Sequence, residues 1–364
     1  MARQSFAATV VGVCIFVLLQ RCIYAHTYSY SSYFPLNYDW VELSSSPTPR
    51  QEHAVASIGN NVYVIGGITA NVSSDGVLDV ATFRNVQDVQ VYDIDQDSWS
   101  YAASMPISVN HGNAATVNGK IYMLGNLSGT NFSSWNALSN SYVYDPELDT
   151  WTDLPPMPSG AARGACAVGV YGSTIYLAGG ITLIELAEDG IQASVDDVTA
   201  FNTETGKWYT DLPPLPGPRD HVAGAVIGST FYVTGGRVHG SYNTKNNTWA
   251  LDLTHPTTWV EKALLPTARG GLASATDDRY LYTFGGEGNP EDANGLFNNT
   301  EVYDPETDVW WIGPAMASPR HGTRAVSVGI GIYLPGGGLH MDAGPTDSLI
   351  AFEPRDVSKW TAMS

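Results

Sequence analysis

Apolar residues along the chain gather in short runs, and six of these runs end at a glycine pair or its remnant. The first reads NVYVIGG and ends at Gly67, and STIYLAGG ends in the same way at Gly180. KIYMLGN is the same pattern with its second glycine replaced by Asn126. Short apolar runs bounded by glycine predict β-strands. The first glycines recur about every fifty to sixty residues, at Gly66, Gly125, Gly179, Gly235, Gly285 and Gly336.

A second half follows each glycine pair and completes a repeating unit. It holds a strand that ends in a turn, as in VQVYDIDQDSW, then a tryptophan and a link such as TDLPPLP. Each unit therefore offers about four short strands, and such a sheet cannot bury both faces unless it stacks on its neighbours. The tryptophans are Trp99, Trp151, Trp208, Trp259, Trp310 and Trp360, with Trp40 before the series.

Six such units predict an all-β fold, namely a six-bladed propeller with four-stranded antiparallel blades. The glycine pairs suit this fold because inner strands converge near the axis, where a side chain would collide with the neighbouring blade. The predicted propeller domain covers residues 40–364, with repeats over 50–99, 110–151, 163–208, 219–259, 269–310 and 320–360.

These motifs resemble the Kelch repeat, and the resemblance extends over nearly all of the chain after its first 25 residues. The segment DWVELSSSPTPR, from Asp39 to Arg50, is similar to the outer strand of a blade whose other three strands come last. We therefore expect the N-terminal strand to close the ring. A strand beginning at Trp360 is the alternative, and the sequence leaves both open.

Composition and charge suggest a cellular context. The 364 residues carry a formal net charge of −19, which argues against a nucleic-acid partner and against anionic membranes. Arg3 followed by FAATVVGVCIFVLL predicts a signal peptide over residues 1–25, with 26–39 as a short N-terminal segment. We expect an extracellular protein of the secretory pathway with no membrane association after signal removal.

Cysteine and asparagine positions agree with export. Cys14 and Cys22 lie in the predicted signal, so Cys166 is left alone and the mature chain is expected to form no internal disulfide. Five Asn-x-Ser/Thr sequons follow glycine-pair positions, where we expect exposed loops that carry N-glycans. They are Asn71, Asn126, Asn131, Asn246 and Asn298.

Arginine recurs at one position of the repeat, sixteen residues before the first glycine. Five units carry it, and the second unit has Val109 instead. One interpretation is structural, with the guanidinium groups bonding neighbouring carbonyls or carboxylates. The other is a basic funnel around the axis that binds carboxylates or sulfates, with Arg324 adding to it. The predicted ligand-binding residues are Arg50, Arg163, Arg219, Arg237, Arg269 and Arg320.

Histidines concentrate within three residues after this arginine position or in the loops after a glycine pair. Together with an acid from the same face, they suggest proton transfer or metal binding. The catalytic candidates are His111, His221, His321 and Glu287. The metal-binding candidates are His221, His239 and His340, although their spacing matches no standard motif.

The sequence contains no nucleotide or flavin motif, so the cofactor is left unknown. The fold also resembles that of galactose oxidase and the copper-radical oxidases, which join a cysteine on one inner strand to a tyrosine on the next. Cys166 lies on a suitable strand, but the next blade reads RDHVAGAVIG without tyrosine, so no such site is expected. Plant Kelch specifier proteins bind iron through two acids and a histidine, whereas ELAEDGIQA has alanine at the third place.

Three functions stay open from the sequence. The first is the binding of a small anionic or polyhydroxylated molecule, including a glycan, in the axial funnel. The second is a tailoring enzyme (an isomerase, a lyase or a metal-assisted oxidative step), as the resemblance to Kelch-like proteins of fungal secondary-metabolite pathways implies, or a sugar mutarotase, as exported bacterial Kelch proteins imply. The third is a protein-interaction platform, as intracellular Kelch proteins imply.

Overall fold

The computed structural model describes residues 34–35, 37–72, 78–129, 134–185 and 190–355, and within these ranges it contains strands and no helix. Twenty-four of the thirty strands form six four-stranded antiparallel blades, which confirms the predicted six-bladed propeller. The other six strands extend loops on one face. In these ranges there is accordingly no helix of the length and apolarity needed to span a membrane.

The first three blades run from the axis outwards in chain order. Blade one contains β2 (Ala54–Ile58), β3 (Asn61–Ile65), β6 (Val89–Asp93) and β7 (Ser98–Ala102). Blade two contains β8 (Ala114–Val117), β9 (Lys120–Ser128), β10 (Ser134–Asp145) and β11 (Thr150–Leu154). Blade three contains β12 (Ala167–Tyr171), β13 (Thr174–Ala178), β16 (Val198–Asn202) and β17 (Lys207–Tyr209).

The last three blades repeat this order until the ring closes. Blade four contains β18 (Ala223–Ile227), β19 (Thr230–Thr234), β20 (Thr248–Asp252) and β21 (Val260–Lys262). Blade five contains β22 (Ala273–Thr276), β23 (Leu281–Phe284), β24 (Thr300–Asp304) and β25 (Val309–Ile312). Blade six contains β26 (Val326–Val328), β27 (Gly331–Pro335), β30 (Leu349–Pro354) and β1 (Tyr38–Leu43).

The N-terminal strand closes the ring, as predicted. Strand β1 pairs antiparallel with β30, and Trp40 lies opposite Phe352. The contact with the propeller begins slightly before the predicted boundary, because the backbone N–H of Phe34 donates to the carbonyl of Ile312, 2.9 Å away, in blade five. The alternative closing strand at Trp360 lies outside the described residues. One blade therefore ties the two ends of the fold together.

We call the face that carries the loops after the glycine pairs the upper face. Its added strands are β4 (Ile68–Val72) with β5 (Leu78–Asn85), β14 (Ile181–Glu185) with β15 (Gln192–Ser194), and β28 (Gly338–His340) with β29 (Ala343–Pro345). Strand β14 also pairs with the upper end of β10, which joins the loops of blades two and three into one sheet.

The glycine pairs fit where blades approach one another, which confirms the predicted reason for them. A Cβ atom on Gly179 would lie 2.5 Å from the carbonyl oxygen of Arg219 in the next blade, and one on Gly336 would lie 2.7 Å from that of Arg50. Both glycines have positive φ angles, 64° and 58°. Any side chain there would meet both a clash and backbone strain.

The recurring tryptophans join each blade to the one before it. Trp151 Nε1 donates to the carbonyl of Ala103 at 2.8 Å, and Trp310 Nε1 donates to that of Ala263 at 2.9 Å. Nε1 of Trp40, on the N-terminal strand of blade six, makes the same bond to the carbonyl of Pro314 after the last strand of blade five, at 3.0 Å. These bonds satisfy the indole N–H while the ring fills the space where blades diverge.

Candidate functional site

The repeated arginines are buried inside the blades and do not line the axis. Each is at most 6% exposed. Three of them donate to the carbonyl of the first glycine of their own blade: Arg50 to Gly66 at 3.0 Å, Arg163 to Gly179 at 2.7 Å and Arg320 to Gly336 at 2.9 Å. The geometry thus favours their structural interpretation over the predicted basic funnel.

The other two repeated arginines are held by side chains of their own blades. Arg219 donates to Asn247 Oδ1 at 2.7 Å and stacks over Trp249 at 4.6 Å. Arg269 is bonded to the buried carboxylate of Glu301. Burial lowers the pKa values of Arg219 and Arg320 to about 10, so both stay cationic near neutral pH. Their charge is used within the blade.

Two residues after the arginine position, the six blades present a different ring, which we call the axial ring. All six of its backbones have positive φ angles between 48° and 63°, although four of the residues are not glycine. Such a conformation costs an L-residue about 1–2 kcal/mol, so it persists only where the surrounding structure requires it. The ring consists of Glu52, His111, Ala165, His221, Gly271 and Gly322.

Backbone hydrogen bonds link neighbours of the axial ring. The N–H of His111 donates to the carbonyl of Glu52 at 2.7 Å, and that of Ala165 donates to His111 at 2.9 Å. The N–H of Gly271 donates to His221 at 2.9 Å, and Glu52 itself donates to Gly322 at 2.6 Å. The left-handed turn at each position therefore serves to join the blades around the axis.

Three side chains of the axial ring meet at one point. Nε2 of His111 lies 2.9 Å from Nε2 of His221 and 3.2 Å from Oε2 of Glu52. Nε2 of His221 lies 3.9 Å from the same carboxylate oxygen. All three residues are at most 9% exposed. The structure thus brings two of the predicted histidines together with a carboxylate that the sequence analysis did not name.

Hydrogen bonds fix the tautomer of both histidines. Nδ1 of His221 donates to Asp220 Oδ1 at 2.6 Å, and Nδ1 of His111 donates to Asn110 Oδ1 at 2.6 Å. The amide of Asn110 is oriented in turn, because its Nδ2 donates to Asn85 Oδ1 at 2.7 Å. With Nδ1 protonated, each neutral imidazole presents the lone pair of Nε2 to the axis.

A second group of charges covers the axial ring from blades four to six. Arg237 bonds to Glu287 and donates through Nε to Asp220 at 3.2 Å, and its Nη2 lies 3.2 Å from Nε2 of His221. Nδ1 of His321 lies 3.3 Å from Oε2 of Glu287. Of the predicted catalytic and ligand-binding residues, the structure therefore gathers His111, His221, His321, Glu287 and Arg237 at the axis.

Burial dominates the ionisation of these groups. Desolvation raises the pKa values of Glu52 and Asp220. Desolvation, assisted by the charge of Arg237, lowers the pKa values of His111 and His221 well below the ordinary value. Burial also lowers the pKa of Arg237, but Glu287 and Asp220 outweigh it and the net shift is upward. Both imidazoles are therefore neutral near pH 7.

The axial ring encloses a cavity of about 20 Å³, which suits one ion or water molecule and no organic molecule. Arg324 forms its floor, because Nη2 donates to the carbonyl of Cys166 at 2.9 Å and Nη1 to that of Val222 at 3.2 Å. Below Arg324, the inner strands surround a channel of about 320 Å³. The arginine therefore separates the axial ring from this channel.

A larger cavity of about 570 Å³, which we call the lateral cavity, opens on the upper face between blades one and two. Its walls are largely apolar and aromatic, with the polar groups Arg84 and Asn85 on one side. It adjoins the axial ring, because the Trp135 ring in its wall lies 5.6 Å from the His111 ring, and Asn85 bonds to Asn110. A molecule held there would lie beside His111.

The remaining metal-binding candidates do not join the axial ring. His239 is exposed, and its Nδ1 lies 2.7 Å from the carbonyl of Gln192. His340 is also exposed, while its carbonyl lies 2.9 Å from Nε2 of His321. Cys166 is fully buried and its pKa is raised by desolvation, in keeping with the predicted core residue.

One of the five sequons is wrong as a glycosylation site. Asn126 is fully buried in β9 and lies opposite Leu138, so a glycan cannot be attached in the folded protein. The single glycine at Gly125 explains the error, because without a second one the strand continues to Ser128. Among the others, Asn71 and Asn298 are exposed, Asn246 is half-buried, and Asn131 lies outside the described residues.

Glu52 and Asp220 are the main groups that the sequence analysis missed. Glu52 does not stand out when only the arginines or only the histidines of the repeats are aligned. It becomes apparent when the residue two positions after the arginine is aligned over all six repeats. Read in register, that position gives Glu, His, Ala, His, Gly and Gly. Three chemically active side chains among small ones are the signal that would have identified the site.

Comparison with known proteins gives one family throughout. The chain matches the KLHDC2/KLHL20/DRC7 Kelch-repeats domain over residues 24–180 and 187–338. It is 37% identical to Kelch-like protein terF of Aspergillus terreus over 314 residues, which are 86% of this chain and 66% of that protein. It is 24% identical to beta-scruin of Limulus polyphemus over 295 residues, 80% of this chain and 30% of the relative. The chain thus spans less than two thirds of these relatives.

Proposed function

The chain belongs to the Kelch-repeat family, and from that premise we propose that it is an exported protein that binds a small organic molecule in the lateral cavity, beside the axial ring. The observation that carries the proposal is the double role of Trp135 and Asn85. Both line the cavity; the Trp135 ring lies 5.6 Å from the His111 ring, and Asn85 accepts a hydrogen bond from Asn110, which orients His111. A ligand there is thereby coupled to the chemically active part of the axial ring.

The walls of the lateral cavity suggest the class of ligand. Its volume of about 570 Å³ lies within the range of about 300–1,000 Å³ typical of small-molecule sites. Phe83 and Trp135 line the cavity with aromatic rings that a sugar or phenolic ring can contact, and Asn140 offers hydrogen bonds. We therefore favour a polyhydroxylated or phenolic molecule. Arg84 is exposed at the same wall and would add affinity for an anionic form.

The axial ring itself suits an anion poorly. The carboxyl groups of Glu52, Asp220 and Glu287 are buried there with the two guanidinium groups of Arg237 and Arg324, so an added anion would meet more carboxyl than guanidinium groups. A tailoring reaction on a molecule in the lateral cavity is the second candidate function. It is favoured by the left-handed backbones of Glu52 and His111, since the family fold is satisfied by alanine or glycine at the equivalent positions of other blades.

Calorimetric titration with a panel of hexoses, uronates and small phenolics tests the binding proposal. We expect saturable binding of at least one class by the parent protein and loss of that binding in Trp135→Ala. Asn140→Trp, which narrows the cavity mouth without removing a buried ring, should weaken binding in the same way. Tyr242→Ala is the matched control, because this ring is 67% exposed on the same face outside the lateral cavity.

The outcomes separate the ligand classes. Loss of binding in Arg84→Ala indicates an anionic ligand, whereas retained binding indicates a polyhydroxylated one. Equal binding by the parent, Trp135→Ala and Asn140→Trp proteins would contradict the lateral cavity as the site. Protein for these titrations is recovered from the medium of a eukaryotic host, so its recovery there, cleaved after Ala25, tests export in the same preparation.

A further inference from the structure

The axial ring combines donor atoms in a way that ligand binding in the lateral cavity does not use. We propose that Glu52, His111 and His221 bind one divalent transition-metal ion, such as Zn²⁺ or Fe²⁺, at the axis of the propeller. This deepens the proposed function, on which any action of the metal toward a bound molecule rests. The binding of the ion itself rests on the geometry of the three side chains.

The first argument is the direction of the lone pairs. Because Nδ1 of both histidines is the donor to Asp220 and Asn110, both Nε2 atoms are acceptors. They lie 2.9 Å apart, and the carboxylate oxygen of Glu52 lies 3.2 Å from the nearer one. Three acceptors at such distances repel one another unless a shared proton or a cation lies among them.

The second argument is the spacing of the donors. Two ligand atoms bonded to a metal at ~2.1 Å are ~3.4 Å apart in a tetrahedral site and ~3.0 Å apart at right angles. The separations of 2.9, 3.2 and 3.9 Å among the three donors bracket these values. The three donor atoms all lie within 4.8 Å of one another, and the cavity beside them, about 20 Å³, has room for one ion.

The third argument is the shell behind the ligands. Metal-binding histidines commonly donate their second ring nitrogen to a carboxylate or carbonyl, which fixes the ring and its tautomer. Asp220 does this for His221, and it is itself held by Ser194 and Arg237. Asn110 does the same for His111. These bonds hold both rings with Nε2 directed to the axis, as in histidines that bind a metal.

The nearby charges permit a cation. Three buried carboxyl groups, those of Glu52, Asp220 and Glu287, lie around the axis together with two guanidinium groups, so carboxyl groups outnumber guanidinium groups there. The contact at 3.2 Å between Arg237 Nη2 and Nε2 of His221 is the one that an ion replaces. Arg237 keeps its bonds to Glu287 and Asp220 after that exchange.

Two imidazoles and one carboxylate form the donor set of catalytic zinc sites and of non-haem iron(II) sites, rather than of closed structural sites. Such a site leaves coordination positions that water can fill. The proposed ion would therefore act as a Lewis acid toward an oxygen donor.

The test is metal analysis of the full chain, purified without a polyhistidine tag and without added metal. We expect about one transition-metal ion per chain, retained through gel filtration and removed by a chelator with a fall in Tm that the same ion restores. His111→Gly and His221→Gly should each reduce the content to below about a tenth. Both variants should fold, since Gly271 and Gly322 occupy the equivalent positions of blades five and six.

His239→Ala and His340→Ala are the matched controls, because both histidines are exposed outside the axial ring. Both variants should retain the metal in full. A parent protein that takes up no metal from micromolar Zn²⁺, Fe²⁺, Mn²⁺ or Cu²⁺ would overturn the proposal in favour of a shared proton. Metal retained by both glycine variants would also overturn it. Trp135→Ala should lose the ligand and keep the metal, which separates failure of this proposal from failure of the proposed function.

Discussion

Two positions of the repeat, only two residues apart, behave in opposite ways. At the first, five blades carry arginine, and every guanidinium group is buried within its own blade. At the second, the six blades carry four kinds of residue, and the side chains that are not small meet at the axis. Both positions lie in the segment that leads into the innermost strand of each blade. The comparison shows that strict repetition here marks the scaffold, while departure from repetition marks the site.

The difference has a physical cause. An element repeated in every blade must satisfy a requirement that every blade shares, such as the glycine carbonyl that Arg50 or Arg320 bonds. A centre on the axis that combines imidazole and carboxylate groups needs different residues from different blades. Glu52, His111 and His221 therefore come from blades one, two and four, with small residues on the other three.

The largest effect that separates the two positions is expected at the arginine. Arg269→Ala removes a fully buried guanidinium and leaves the carboxylate of Glu301 without its partner in the interior. Breaking such a pair costs about 3–5 kcal/mol, and chemical denaturation measures it. Arg279→Ala is the control, because this exposed arginine stacks over Tyr280 at the surface and its loss should cost less than about 1 kcal/mol. A stable Arg269→Ala protein would return this arginine to the ligand-binding hypothesis.

A smaller effect of opposite sign is expected on the axial ring. Glu52→Gly removes a buried carboxylate and relieves a left-handed backbone with φ of 53°. In metal-free protein we expect a gain of about 1 kcal/mol in the free energy of unfolding. Ala165→Gly is the control, since its relief of strain is offset by the loss of one buried methyl group, worth about 0.8 kcal/mol. Destabilisation by Glu52→Gly would show that the carboxylate serves the scaffold.

These two positions also explain how far the sequence could predict the molecule. The six blades, the Trp40 strand that closes the ring and the role of the glycine pairs were predictable, because each repeats with a fixed spacing. The contact between His111 and His221 was not predictable, because these residues are 110 positions apart in the sequence and their rings approach across the axis. The sequence predicted that Arg237 lies near the axis. It did not predict the bonds of Arg237 to Glu287 and Asp220, because these depend on the loops of two blades.

A third element lies between these extremes, because three blades share it and the other three do not. The turn after the third strand pairs a tyrosine hydroxyl with an aspartate five residues later in blades one, two and five, as between Tyr144 and Asp149 at 2.7 Å. Blade three has Phe201 and Gly206 at these places. The Asp149 carboxylate also accepts the backbone N–H of Ala103 at 2.7 Å, which joins it to the preceding blade.

An effect as small as that of Glu52→Gly is expected from this pair, and it shrinks further in acid. The bond from the Ala103 N–H, followed by that from Tyr144, lowers the pKa of Asp149 below its ordinary value of 3.8. The stabilisation from Asp149 is therefore complete above pH 3.8 and is lost as the pH falls through the lower pKa of the folded state. Tyr144→Phe should cost about 1 kcal/mol at neutral pH, and its Tm should approach that of the parent protein under acid. Tyr101→Phe, on a ring that is 57% exposed, should match the parent at every pH, whereas a Tyr144→Phe deficit that persists unchanged in acid would mean that the hydroxyl acts without the carboxylate.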